Sequence, residues 1–220
     1  LDDKLLEGLA PDLIITQELC AVCAVSYEIV AGAAKRLRGD PRIISLEPAT
    51  LEDVFGTIET IAELAGVPER APRALEPLRA GVASLRDRTK SLPRPKTLLL
   101  EWTDPPMCAG HWIPDLIELA GGEPLLAKPG ANSHALEWES IARADPDAIL
   151  IAPCGYDLPM ARDAIADLHA NPIWSALRAV RADRVYAIDG SAYANRPGPR
   201  LVDSAEIFAQ ALHGLAPARV

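Results

Sequence analysis

Four cysteines have the most distinctive chemistry in this chain. Cys20 and Cys23 form a Cys-x-x-Cys motif, and Cys108 and Cys154 follow much later. Two thiols at that spacing can share one metal ion or form a disulfide, and a closed zinc site needs four ligands. The other ligands would have to come from Cys108, Cys154 or a histidine. A metal- or thiol-dependent protein is therefore one hypothesis, and small buried residues at a loop–helix junction are the competing interpretation.

Aromatic side chains are scarce, with four tryptophans, four tyrosines and two phenylalanines. Trp102, Trp112, Tyr156 and Tyr193 each fall in a segment at or just after the end of a predicted strand. Ligands of open α/β sheets bind beyond the carboxyl ends of the strands. These rings therefore predict a platform for a large flat or apolar ligand. The alternative is that they seal the edges of the core.

Motifs of nucleophilic or phosphate chemistry are absent from the sequence. There is no Gly-x-Ser-x-Gly elbow, no glycine-rich phosphate loop and no His-Glu-x-x-His. Cys154 beside Gly155 is the only nucleophile that could be drawn with a histidine base. The residues therefore give little support for nucleophilic catalysis.

Composition excludes several classes of partner. The chain has 220 residues and a formal net charge of −9, with 22 basic against 31 acidic residues. Nucleic acids and anionic membranes require a positive surface, so neither is expected as a partner. No apolar run approaches the roughly 18 residues of a membrane span. The first residues show no basic segment followed by an apolar one, so we predict no signal peptide in this chain.

Short apolar runs alternate with amphipathic helical patterns, which is typical of βα units and a mostly parallel sheet. We therefore predict an α/β fold. The predicted strands are 12–16, 42–47, 97–102, 148–152 and 184–188, with a weaker one at 124–127. The predicted helices are 3–9, 22–37, 51–65, 74–92, 112–119, 138–144, 160–168, 172–178 and 200–212.

One amphipathic helix interrupts this alternation. Leu75, Leu78, Val82 and Leu85 recur at helical spacing, and prolines end the pattern after residue 92. We interpret it as a linking helix at 71–94 between an N-terminal lobe, 1–70, and a C-terminal lobe, 95–220. An ordinary crossover helix within one sheet is the alternative. The N-terminal lobe is short, with two clear strands.

Several segments resemble the cobalamin (vitamin B12)-binding proteins of ABC importers, a class of periplasmic solute-binding proteins. The most particular are Gln-Glu-Leu-Cys at 17–20, Asp-Pro-Pro at 104–106 and Arg-Pro-Gly-Pro-Arg at 196–200. Ala-Gly-His-Trp at 109–112, Trp-Glu at 138–139, Asp-Pro-Asp at 145–147 and Pro-Cys-Gly at 153–155 also match. The similarity covers nearly the whole chain.

The resemblance implies two Rossmann-like lobes joined by one long helix, the chelatase-like architecture with a helical backbone. It implies a monomer that captures cobalamin or a related corrinoid between the lobes and delivers it to a membrane permease outside the cytoplasm. It also implies that the protein is not an enzyme, and we expect no cofactor. A cytoplasmic location stays open because no signal peptide is predicted. The expected ligand-binding residues are Gln17, Glu18, Trp102, Pro105, Trp112, Tyr156, Tyr193 and Arg196.

In the same family, one acidic residue on each lobe docks onto arginines of the permease. Glu139 falls on the C-terminal position, and Asp3 lies nearest to the N-terminal one. The sequence departs from the family in lacking the first strand–helix–strand unit. A ferric siderophore or haem is the alternative ligand of this class. Siderophore complexes are often anionic, and the predicted ligand loops hold only two basic residues, Arg196 and Arg200.

Overall fold

A computed structural model describes residues 2–17, 27–34 and 41–218. Three of the predicted site residues, Glu18, Cys20 and Cys23, lie outside these ranges, as does the side chain of Asp3. The strands are β1 (Leu13–Thr16), β2 (Arg42–Ser45), β3 (Lys96–Thr103), β4 (Pro106–Cys108), β5 (Glu123–Pro124), β6 (His134–Ala135), β7 (Ala148–Ile151) and β8 (Val185–Ala187).

Helices alternate with these strands along the chain. They are α1 (Asp3–Leu9), α2 (Tyr27–Ala34), α3 (Leu51–Leu64), α4 (Arg70–Thr89), α5 (Ile113–Leu119), α6 (Trp138–Ala144), α7 (Leu158–Leu168), α8 (Pro172–Ala176), α9 (Arg178–Arg181), α10 (Gly190–Tyr193) and α11 (Leu201–His213). The predicted α/β class is confirmed. Among the described residues, no helix is long and apolar enough to span a bilayer.

The strands form two sheets. In the first, β1 and β2 pair in parallel, with Leu13 opposite Arg42 and Thr16 opposite Ser45. In the second, the order is β6-β4-β3-β7-β8, and β5 pairs with the beginning of β3. Strands β3, β5, β7 and β8 are parallel, whereas β4 and β6 are antiparallel to their neighbours. The sheets are therefore mostly parallel, as predicted.

The two faces of the larger sheet carry separate cores. Leu99 and Leu150 belong to a cluster that also contains buried residues of α3, α4, α5 and α11. Leu98 and Ile149 belong to a second cluster with α6, α8 and the end of α7. Successive strand residues point to opposite faces, so a continuous apolar run supplies both cores.

Helix α4 occupies most of the segment predicted to link two lobes. Leu75, Leu78 and Leu85 are buried against the first cluster, as the amphipathic pattern predicts. Near its C-terminal end, Arg88 donates two 2.8 Å hydrogen bonds to the carboxylate of Glu206 on α11. This ion pair ties α4 to the helices behind the larger sheet. The division into lobes at 1–70 and 95–220 stays a prediction.

Four short elements were not predicted, namely β4, β6, α9 and α10. Strand β4 follows β3 through a tight turn with a cis peptide bond before Pro105, and it continues in the ladder with β6. Helix α10 has four residues. Elements of two to four residues are too short for periodicity to reveal, and proline at the first position of β4 disguises that strand. The predicted helix 22–37 extends outside the described ranges, which contain Tyr27–Ala34.

Candidate functional site

The carboxyl ends of β3, β7 and β8 lie at one edge of the larger sheet, where the loops after them are joined by hydrogen bonds. The backbone N–H of Cys154 donates to the carbonyl of Glu101 at 3.1 Å. The N–H of Ser191 donates to the carbonyl of Tyr156 at 3.1 Å. Asn195 Nδ2 donates to the carbonyl of Ala152 at 3.3 Å. The three loops therefore form one continuous surface.

Close packing fixes the loop after β8. A Cβ atom placed on Gly190 would overlap the carbonyl oxygen of Pro153 and the side chain of Asn195. Glycine is therefore required where this loop crosses the loop after β7. The Asp189 carboxylate caps α10 by accepting a 2.7 Å bond from the N–H of Ala192.

Trp102 and Tyr156 meet at this edge. Their ring centroids are 5.5 Å apart with an interplanar angle of 71°, which is an edge-to-face arrangement. Trp102 Nε1 donates to the carbonyl of Asp104 at 2.9 Å, so the polar end of the indole is satisfied within its own turn. Both side chains are partly exposed. The pair therefore forms a partly exposed aromatic surface at this edge of the sheet.

Tyr193 lies in the same loop region but does not stack on that pair. Its side chain is partly buried and packs against the first core cluster, and its carbonyl accepts a hydrogen bond from the Ser204 hydroxyl. Pro105 is exposed at the turn between β3 and β4, and Gln17 is partly exposed directly after β1.

Trp112 requires a correction. The side chain is 5% exposed and belongs to the first core cluster, and its Nε1 donates to the carbonyl of Ala194 at 2.9 Å. His111 has φ +51°, and the chain then turns inward to begin α5. The prediction that Trp112 contacts the ligand is therefore wrong, because the indole serves the core and holds the end of α10.

A depression of about 590 Å³ lies beside the loop after β7 and is lined by Gly155 and Asp157, the two neighbours of Tyr156 in the sequence. Arg196, which was predicted to bind ligand, is exposed on its rim. Other lining groups were missed at the sequence level, although they follow strand ends in the same way: Asp157, Met160, Asp189, Ser191 and Arg200. Within the described residues, neither arginine side chain has a hydrogen-bond or ion-pair partner.

Glu101 is a half-buried carboxylic acid at the end of β3. Burial raises its pKa above the ordinary value of 4.5, and a hydrogen bond with the Ser133 side chain acts in the opposite direction. The Ser133 hydroxyl also accepts a 3.0 Å bond from the N–H of Gly110. This group was not predicted, because a single acid at the end of an apolar run has no distinguishing pattern.

Two cysteines are within the described ranges. Cys108 is fully buried, with its sulfur 3.4 Å from His134 Nδ1 and 3.3 Å from the carbonyl oxygen of Leu126. Burial raises the pKa of the Cys108 thiol, so it stays protonated at neutral pH. Cys154 is partly exposed in the loop after β7. Among the described residues, no three histidine, cysteine or acidic side chains are arranged to hold a metal ion.

Glu139 is exposed in the first turn of α6. It forms no ion pair with any residue that the structure describes. The backbone of Asp3 lies in α1, whose N-cap is Asp2.

The chain was compared with known proteins. Residues 5–192 match the model of the family described as periplasmic binding protein. None of the curated proteins matches.

Solved structures share the fold at low identity. An ABC transporter substrate-binding protein from Listeria monocytogenes is 19% identical, with a TM-score of 0.84 over 97% of this chain and 81% of that one. The periplasmic vitamin B12-binding protein of Vibrio cholerae is 24% identical, with a TM-score of 0.70 over 96% and 76% of the two chains. A periplasmic haem-binding protein from Roseiflexus is 24% identical, with a TM-score of 0.77 over 97% and 80%. The match to the family model extends over most of the sequence, and the chain therefore belongs to the periplasmic binding protein family, whose members are the solute-binding components of ABC transporters.

Proposed function

We propose that this protein binds cobalamin or a related corrinoid and delivers it to the permease of an ABC importer. The observation that carries the proposal is the partly exposed Trp102–Tyr156 pair at the carboxyl edge of the larger sheet. A corrin is a large, mostly apolar ring, and a rigid edge-to-face pair provides apolar area without loss of side-chain freedom on binding.

Other groups would complete the site around the ring. Tyr193 and Pro105 would add apolar contacts from the neighbouring loops. Gln17, Glu18 and Arg196 would hydrogen-bond the amide-bearing rim of the ligand. Burial of a corrin-sized face favours at least micromolar binding, on the order of −8 kcal/mol.

Haem and ferric siderophores are the other candidates within this class. The similar structures include a haem-binding and a vitamin B12-binding protein, so the fold does not discriminate between these ligands. The sparse basic residues of the loops favour a ligand with little negative charge.

Titration with cyanocobalamin, followed by calorimetry and by the corrin absorbance, tests the proposal. We expect one binding site with a dissociation constant of about 1 µM or below. Trp102→Ala should weaken binding at least about tenfold, as expected for an aromatic anchor. Ile61→Ala, at an exposed position of α3, is the matched control. No heat and no spectral change at high micromolar ligand would refute the proposal.

Delivery to the permease is the second part of the proposal. Glu139 would pair with an arginine of the permease, and Asp3 would serve the same role on the N-terminal side. Glu139→Ala should leave the affinity for cyanocobalamin unchanged and reduce permease-dependent uptake. Glu118 is an exposed acid on a different helix, α5, and Glu118→Ala should change neither the affinity for cyanocobalamin nor the uptake. An equal loss of binding and uptake in Glu139→Ala would exclude a docking role.

The thiol hypothesis makes a different prediction. If Cys20, Cys23, Cys108 and Cys154 held a metal, protein produced without added metal would contain stoichiometric zinc or iron, and Cys20→Ser would lose it. The 3.4 Å contact between Cys108 Sγ and His134 Nδ1 is the observation that supports this alternative. We favour the solute-binding role without enzymatic activity, outside the cytoplasm.

A further inference from the structure

The depression beside Tyr156 carries a balanced set of charges. Four charged side chains line it, namely Arg196, Arg200, Asp157 and Asp189. Two positive and two negative groups give a formal charge of zero. A site for a polyanionic ligand would instead carry an excess of positive charge.

Both carboxylates keep one oxygen available. Asp157 Oδ1 accepts a 2.9 Å bond from the N–H of Met160, and Asp189 Oδ1 accepts a 2.7 Å bond from the N–H of Ala192. These bonds cap α7 and α10. Within the described residues the second oxygen of each carboxylate has no hydrogen-bond partner. The two acids can therefore accept hydrogen bonds from a ligand.

The arginines supply the complementary donors. They flank the segment Pro197-Gly198-Pro199, in which two prolines restrict the backbone. The carbonyl of Arg200 accepts a 2.9 Å bond from the Ser204 hydroxyl, which ties the segment to the start of α11. Two guanidinium groups without a described partner thus lie on a constrained loop.

A primary amide has both N–H donors and a carbonyl acceptor. The lining combines acceptors and donors that have no partner among the described residues with the exposed side chain of Met160, and this combination matches amides carried on short aliphatic arms. A ligand that carried carboxylates in place of these amides would be repelled by Asp157 and Asp189, and this repulsion would oppose its attraction to the two arginines.

We propose that this depression is the part of the ligand site that selects amidated over acidic side chains on the tetrapyrrole rim, with Asp157 and Asp189 as the discriminating groups. This inference rests on the proposed function. It attributes the discrimination between amides and carboxylates to these two aspartates, not to the shape of the ring.

Two corrinoids with the same ring test the inference directly. Dicyanocobinamide carries amide side chains, and dicyanocobyrinic acid carries the corresponding carboxylates. On the wild-type protein at pH 7 and low salt, we expect cobinamide to bind at least about tenfold tighter. Equal or tighter binding of the acid would overturn the inference while leaving the corrinoid-binding role intact. Failure of both corrinoids and of cyanocobalamin to bind would instead overturn the proposed function.

A charge variant isolates the two acids. Asparagine also caps helices, so Asp157→Asn with Asp189→Asn removes two charges while preserving both caps. We expect the ratio of the dissociation constants of dicyanocobyrinic acid and dicyanocobinamide to fall by about fivefold or more in this double variant. Asp163→Asn, an exposed acid on α7 outside the depression, should leave the preference unchanged. An unchanged preference for cobinamide in the double variant would also overturn the inference. Circular dichroism verifies that each variant is folded.

Discussion

The buried ion pair between α4 and α11 gives the sharpest stability prediction. The Glu206 side chain is 5% exposed and that of Arg88 is 28% exposed. Arg88 also donates a 2.6 Å bond to the carbonyl of Ala216. Replacing Arg88 with leucine would leave a buried carboxylate whose remaining contact is a 3.4 Å bond from the N–H of Ala218. Removing one partner of a buried pair costs about 3–5 kcal/mol, a large share of the total stability of a domain.

Urea denaturation at 25 °C measures this cost, with the slope of unfolding checked for two-state behaviour. The variants are Arg88→Leu, Glu206→Leu and the double replacement. The double variant should be much less destabilised than either single one, because it leaves no unpaired charge. Lys90→Gln, at the C-cap of the same helix, is the matched control. Its ion pair with Asp87 is 65% and 74% exposed, so we expect a change within about 0.5 kcal/mol. A cost below about 1 kcal/mol for Arg88→Leu would refute this account of how α4 is held.

Three further perturbations test the carboxyl edge. Gly190→Ala should destabilise the protein by about 1–3 kcal/mol in urea unfolding, because the new Cβ overlaps Pro153 and Asn195, whereas Gly198→Ala, with open space around it, should cost much less. Because the pKa of Glu101 is raised, the native state holds this proton more tightly than the unfolded chain does, and the free energy of unfolding therefore falls as the pH rises from about 4.5 through the folded pKa. Glu101→Gln should remove that decline. Identical plots of unfolding free energy against pH for the wild type and the variant would contradict the raised pKa of Glu101. Tyr156→Ala combined with Trp102→Ala should show a coupling of about 0.5–1.5 kcal/mol in a double-mutant cycle of stability, and strict additivity would show that the rings do not interact.

General rules of α/β topology predict from the sequence that the loops after the parallel strands lie at one edge of the sheet. Within the predicted strands, residues 97–100 and 148–152 are buried on both faces, and such continuous apolar runs identify central parallel strands. The loops after them then had to lie together, and the 5.5 Å contact between Trp102 and Tyr156 follows from that placement. Continuous hydrophobicity is a strong signal, because central strands have no solvent-facing side.

Trp112 shows where such reasoning fails. The same rule assigns it to the ligand-facing loop, yet one residue with positive φ, His111, turns the chain so that the indole enters the core. Backbone geometry of this kind leaves no mark in composition or periodicity. An alanine carbonyl 82 residues away in sequence accepts the indole hydrogen bond, and that partner is set by tertiary packing alone.

The charged depression was missed for a different reason. Asp157 and Asp189 follow strands and precede helices, where an acid is explained by N-capping. N-capping accounts for the hydrogen bond to one oxygen of each carboxylate, and it gives no role to the other oxygen. The approach of Arg196 and Arg200 to these caps depends on how the loop after α10 folds back, which residue spacing does not reveal.

The most direct test of the corrinoid-binding account is a crystal structure of the protein grown with cyanocobalamin. The account predicts that the corrin ring lies within about 4 Å of the Trp102 and Tyr156 side chains, with amide arms directed into the depression beside them. A corrin bound at another surface, with this aromatic pair left open to solvent, would contradict it.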